Sequence, residues 1–349
     1  MRFLRGREVA DVKPKRQYIL AALVVVAVLV AGGFAVNSFM GFQERTQAPA
    51  VAAQQNPEGI AQIPLEGAVV FRDTRATDNY GKVAWAPLDS PNGTRTDTGL
   101  SCDRVYRTGG MLSCLSALRG MNTSYDSTVY SIGGHLLSER ALPGEPSRTR
   151  VSPTGMVGVT AFITGESYDF VGFSTETVIA VPGGTNYGNL QDFDILVGGT
   201  KLTAADRNVW GVTFAKDAQT FYATAASGKQ TWLVQGSLRD KTLTAIGENA
   251  ECPSISPDGK LIAYKKRRAD SAPAHWDIAV LDIAKRTETL YPLESGFDDQ
   301  LEWLDADTLL FGQPREETPG DADIFSLDLV PGATPKVFIE HAWSPSIQR

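Results

Sequence analysis

Short apolar runs alternate with polar turns along most of this chain. The stretch from Cys252 to Pro292 shows the pattern most plainly. A turn, Ser256-Pro257-Asp258-Gly259, precedes the apolar run Leu261-Ile262-Ala263-Tyr264. A charged, Pro-containing loop over 265–274 then leads to Asp277-Ile278-Ala279-Val280-Leu281-Asp282, and a further turn leads to Glu288-Thr289-Leu290-Tyr291. Pro257 presets φ at the first central turn position, and Asp258 and Gly259 tolerate the left-handed backbone that closes it. Runs this short, bounded by turn residues, predict strands, and three or four in succession predict one antiparallel meander.

The unit recurs. Ser152-Pro153-Thr154-Gly155, Phe214-Ala215-Lys216-Asp217, Ser256-Pro257-Asp258-Gly259 and Leu304-Asp305-Ala306-Asp307 align as turns, and Trp343-Ser344-Pro345 reads as a last copy. Successive anchors lie 62, 42, 48 and 40 residues apart, close to a four-stranded blade of a β-propeller, with an insertion in the first interval. Two more units lie upstream without the Ser-Pro turn. One holds Ala68–Phe71 and Lys82–Trp85; the other is a hairpin between Cys102 and Cys114, followed by Thr128-Val129-Tyr130. The orphan copy at Trp343 has no blade behind it. It therefore predicts that the last strand completes the blade begun at Ala68, which removes free sheet edges. This all-β reading gives six blades, or seven if 163–207 hides another.

Charge adds a second feature. Residues 1–17 carry six basic and two acidic side chains, and 18–42 carry none that is charged, so the rest sums to -11 within a total of -7. The apolar segment is long enough to cross a hydrocarbon core as a helix, and the basic tail before it predicts a cytoplasmic N-terminus with the remainder exported. A cleaved signal peptide is the competing reading, since Ala48, Ala50, Ala52 and Ala53 offer small-residue sites. Residues 43–64, rich in Gln, Ala and Pro, predict a linker, leaving 65–349 as the extracytoplasmic domain. The acidic surface argues against nucleic acid as a partner. In an oxidising compartment, a hairpin centred on Thr108 would set Cys102 opposite Cys114 and permit a disulfide.

The Ser-Pro-Asp-Gly turn, the Leu-Ile-Ala-Tyr strand and the Asp-Ile-x-Val-x-Asp pattern at 277–282, half-repeated at 323–328, resemble the blade repeat of TolB-type six-bladed propellers. The resemblance covers roughly 65–349 and is strongest in the last two blades. It implies the fold and an extracytoplasmic setting. The family's founding member is a periplasmic protein with an N-terminal α/β domain that contacts partners; here an apolar run and a linker stand in that place.

Recognisable catalytic chemistry is sparse. His135, His275 and His341 fall in no metal-ligand or hydrolase spacing, and neither H-E-x-x-H nor G-x-S-x-G occurs. Glu294, Asp298, Asp299, Glu302, Asp305 and Asp307 could offer oxygen ligands to Ca²⁺ but lack the glycine-punctuated spacing of a calcium loop. Lys265, Lys266, Arg267 and Arg268 follow a strand directly, which predicts a hairpin top or a blunted edge. With Asp298 and Asp299 they are the candidate partner surface. The leading expectation is a membrane-tethered binding or scaffolding module serving envelope or membrane proteins. The alternative is an exported propeller enzyme of the lactonase, lyase or glycosidase kind, or a small-ligand or cation sensor, with its site in the central channel.

Overall fold

The computed structural model describes residues 57–349, apart from 109, 120–122, 165–172, 218, 270, 272–273 and 298. The basic tail, the proposed membrane span over 18–42, most of the linker, and Asp298 lie outside the described residues. No helix among the described residues is long and apolar enough to cross a membrane.

Six sheets, antiparallel but for one pairing in blade 4, account for nearly all regular structure among the described residues. Blade 1 comprises β1 (Ala68–Asp73), β2 (Lys82–Pro87), β3 (Thr96–Ser101) and, from the far end of the chain, β26 (Ala342–Gln348). Blade 2 runs β4 (Arg104–Thr108), β5 (Met111–Leu118), β6 (Ser124–Ser131) and β7 (Leu136–Leu142). Blade 3 runs β8 (Pro146–Val151), β9 (Val157–Thr164), β10 (Ser174–Ala180) and β11 (Asn186–Asn189). Blade 4 contains β14 (Asn208–Phe214), β15 (Thr220–Ser227), β16 (Gln230–Ser237) and β17 (Thr242–Glu248), extended outward by β12 (Asp194–Val197) and β13 (Thr200–Lys201). Blade 5 runs β18 (Glu251–Ile255), β19 (Leu261–Arg267), β20 (Trp276–Asp282) and β21 (Thr287–Tyr291). Blade 6 runs β22 (Glu302–Trp303), β23 (Thr308–Pro314), β24 (Ala322–Asp328) and β25 (Lys336–Ile339).

The first strands contact one another in a ring, β26 to β4, β8, β14, β18, β22 and back to β26, so these six strands surround a central channel. The expected closure is present: β26 pairs antiparallel with β1, Ile347 opposite Val69 and Gln348 opposite Ala68. Both faces of a blade must be covered by neighbours, and each of the six blade interfaces encloses an apolar cluster. Val69, Phe71, Leu310, Ile324 and Ile347 seal blade 6 to blade 1, while Val70, Val83, Val105 and Leu112 seal blade 1 to blade 2. Burying a side chain of this size stabilises by roughly 1.5–3 kcal/mol.

Several expectations need correction. Among the described residues of 163–207 there is no seventh blade: β10 and β11 finish blade 3, and β12 adds to blade 4 through a parallel pairing, Ile195 opposite Leu243. The propeller unit also begins before residue 65. Pro57–Gln62 forms a 3-10 turn whose Ile60 is buried with Ile63 against Val83 and Leu100, because a linker that carries isoleucines beside an open apolar groove docks there. The Cys102–Cys114 disulfide is present, with Cα atoms 5.4 Å apart, yet it is not a cross-strand pair. Thr108 pairs with Met111, which shifts the hairpin centre and sets Cys114 opposite Val105. Cys102 precedes β4 and donates its backbone N–H to Gly81 at 3.1 Å, so the disulfide ties the blade 1–blade 2 connection to β5.

The Ser-Pro turns behave as the pattern predicts. The backbone of Gly259, at φ 81°, donates to Ser256 O at 2.9 Å, and the Ser256 hydroxyl accepts from Leu261 N at 2.9 Å and donates to Asp258 at 2.6 Å. Ser152 repeats the arrangement with Gly155 and Met156. Ser344-Pro345, however, lies inside β26, not at the turn that follows an inner strand. Its structural counterpart is Cys252-Pro253. Both pairs form β-bulges with a left-handed first residue, φ 58° at Ser344 and 50° at Cys252, and Gly211 repeats this in β14 at 68°.

Candidate ligand-binding channel

Alternation along the inner strands sends every second side chain toward the channel. In β4 these are Arg104, Tyr106 and Thr108; in β8 they are Arg148 and Arg150. Blade 6 supplies Asp299, Gln300 and Glu302, the turn after β14 supplies Lys216, and Arg349 follows β26. Five cations thus face two carboxylates.

The narrow part holds Arg104, Arg148, Asp299 and Gln300. Asp299 is 4% exposed; its Oδ1 lies 4.0 Å from Arg104 Nη1 and 3.9 Å from Arg148 Nη2, and its Oδ2 accepts from Gly312 N at 3.0 Å. Gln300 donates from Nε2 to Val212 O at 3.2 Å and Pro253 O at 3.1 Å, tying blade 6 to blades 4 and 5. Its buried Oε1 has no hydrogen-bond partner among the described residues, which leaves an acceptor for a bound water.

The wide part is a cavity of about 110 Å³. Glu302 sits on its wall, with Arg150 Nη2 at 3.5 Å and Arg349 Nη2 at 3.3 Å. Arg150 is held from two sides: its guanidinium lies 4.3 Å from the Tyr106 ring centroid, and Nη2 donates to Leu301 O at 2.7 Å. Burial, and then the charge of Glu302, push the Tyr106 phenol well above its ordinary value of 10.0, so it remains an O–H donor.

No protein-family model and no curated protein matches this chain by sequence. Solved structures do match. TolB from Acinetobacter baumannii superposes with a TM-score of 0.54 at 13% identity, over 80% of this chain and 66% of that one. The fold is that of a TolB-like six-bladed propeller. This chain thus spans less than two thirds of that TolB. The nidogen/laminin complex structure also matches, at a TM-score of 0.50 and 9% identity, over 80% of this chain and 97% of the other. Identities this low convey the fold alone.

In this TolB-like propeller the expected basic surface is divided: Lys265 turns inward, and Arg267 and Arg268 stay exposed. Lys265 is fully buried, 3.9 Å from Glu251 and 4.6 Å from the Trp276 ring centroid. Lys266 pairs with Glu288 at 2.7 Å, Arg267 lies 5.5 Å from the Trp276 ring centroid, and Arg268 clamps Asp277 through two hydrogen bonds. Of the four, only Lys265 is buried in the blade interface; Lys266 is half-buried, and Arg267 and Arg268 remain exposed while meeting an indole and a carboxylate at the blade surface. Asp299 is likewise a buried wall residue, not a surface one. Arg315 clamps Asp323 in blade 6 as Arg268 clamps Asp277, so the recurring aspartates of the repeat hold strand ends together. Of the acidic group, Asp299 and Glu302 face arginines and Asp305 accepts from Asp307 N, while Asp298 lies outside the described residues; no group of three His, Cys, Asp or Glu suited to a metal occurs among the described residues.

The channel arginines escaped the sequence reading. Their signal was present nonetheless, as charges at alternate positions (Arg148, Arg150) directly ahead of the Ser152-Pro153 turn.

Proposed function

We propose that this protein is a membrane-tethered, non-catalytic binding propeller that presents its faces to envelope or membrane proteins outside the cytoplasm. The observation that carries the reading is the state of the channel, where an enzyme of this shape would work. Both carboxylates there are tied between guanidinium groups and built into the wall. The basic-then-apolar N-terminal pattern supports the tether. The Cys102–Cys114 disulfide suits an oxidising compartment.

Two measurements test it. The full chain should resist extraction from membranes by alkaline carbonate, with the propeller cleaved only by protease added on the extracytoplasmic side. A photocrosslinker at exposed Leu137 or Val337 should then trap a defined set of membrane or envelope proteins in intact cells. Hydrolysis of an ester, lactone or glycan by the purified chain, abolished by Glu302→Gln, would defeat the non-catalytic reading.

A further inference from the structure

The charge of the channel departs from that of the rest of the propeller. Everything after residue 42 sums to -11, yet the wide cavity gathers Arg150, Lys216 and Arg349 around the single carboxylate of Glu302. Arg150 is 8% exposed and shares Glu302 with Arg349, and Lys216 makes no ion pair among the described residues. Lys216 and Arg349 stand exposed at the rim above the buried Arg150, and low-dielectric walls focus the field of charges gathered in a cleft.

We infer that the wide end of the channel binds a small oxyanion, the phosphate or carboxylate group of a small molecule, between Arg150, Lys216 and Arg349. The site is preorganised. Arg150 is fixed by the Tyr106 ring and the Leu301 carbonyl, which holds its charge in place before any ligand arrives. Tyr106 and Thr108 add hydroxyls from the neighbouring blade. The cations come from blades 3, 4 and 1, so only the closed ring assembles them. This inference goes beyond the tethered-scaffold reading, and its failure leaves that reading standing.

Isothermal titration of the full chain in detergent tests it, with sodium phosphate and sodium citrate as separate probes at ionic strength matched with sodium chloride. Saturable one-site binding of at least one probe is expected. The double variant Lys216→Ala/Arg349→Ala removes two exposed side chains and should weaken binding roughly tenfold or more, the loss of at least one charge-assisted contact. Lys285→Ala removes an exposed cation paired with Asp282 in blade 5 and should leave affinity within about twofold. Tighter phosphate binding would assign a phosphorylated ligand, and tighter citrate binding a polycarboxylate. Absence of saturation by both probes, or equal weakening by the double variant and by Lys285→Ala, would overturn the site.

Discussion

Replacing Lys265 with Met takes a cation out of the interior of blade 5 while keeping an unbranched side chain of similar length. Lys265 stands opposite Glu251 in the β18–β19 register, and Glu251 in turn accepts from Trp276 Nε1 at 3.0 Å. Glu251 is 5% exposed, so Lys265→Met leaves a buried carboxylate that has lost its ammonium. Removing one member of a buried pair costs about 3–5 kcal/mol. For the roughly 280 described residues the entropy of unfolding is roughly 0.6 kcal/mol/K, so Tm should fall by roughly 5–8 °C. Adding Glu251→Gln removes the stranded charge and keeps an oxygen for the indole, and the double variant should return to within about 1–2 kcal/mol of the parent. Thermal and urea unfolding of the purified full-length variants measure both steps. A loss below about 1 kcal/mol for Lys265→Met, or a double variant no better than the single, would refute the buried-pair account.

Cys102→Ser/Cys114→Ser should cost about 3 kcal/mol, the value for so small a closed loop, read as a lowered unfolding midpoint that matches the reduced parent protein. Gly211→Ala should destabilise by more than about 1 kcal/mol, since Gly211 sits at φ 68° and an added Cβ would lie 2.8 Å from the Cys252 Cα of the next inner strand; unchanged stability would deny that close approach. The Ser256 hydroxyl and the Lys260 N–H hold the Asp258 carboxyl at about 2, below its ordinary 3.8. A depressed folded value means that its contribution is full above 3.8 and is lost as pH falls toward 2, so Asp258→Asn should flatten the stability profile between those limits.

The local pattern determined a great deal here. Turn chemistry and strand-length apolar runs are short-range properties, so the Ser256–Gly259 and Ser152–Gly155 turns and the meanders were legible residue by residue, while the choice between six and seven blades waited on the pairing of β10 to β12. Closure was legible too, because an unpaired strand at Trp343 and an incomplete blade at Ala68 demand each other. What a side chain faces is a different kind of fact. Lys265 and Asp299 look like surface residues in a string of letters, yet each lies inside because strand alternation and the neighbouring blade set its direction. Register decides such assignments: Thr108 pairs with Met111, so Cys114 faces Val105, and Ser344-Pro345 falls inside β26, away from the turn it was matched to. The channel is the furthest from sequence: Arg150, Lys216, Arg349 and Glu302 belong to four blades and span some two hundred residues of chain, and only the ring of inner strands brings their charges to one place.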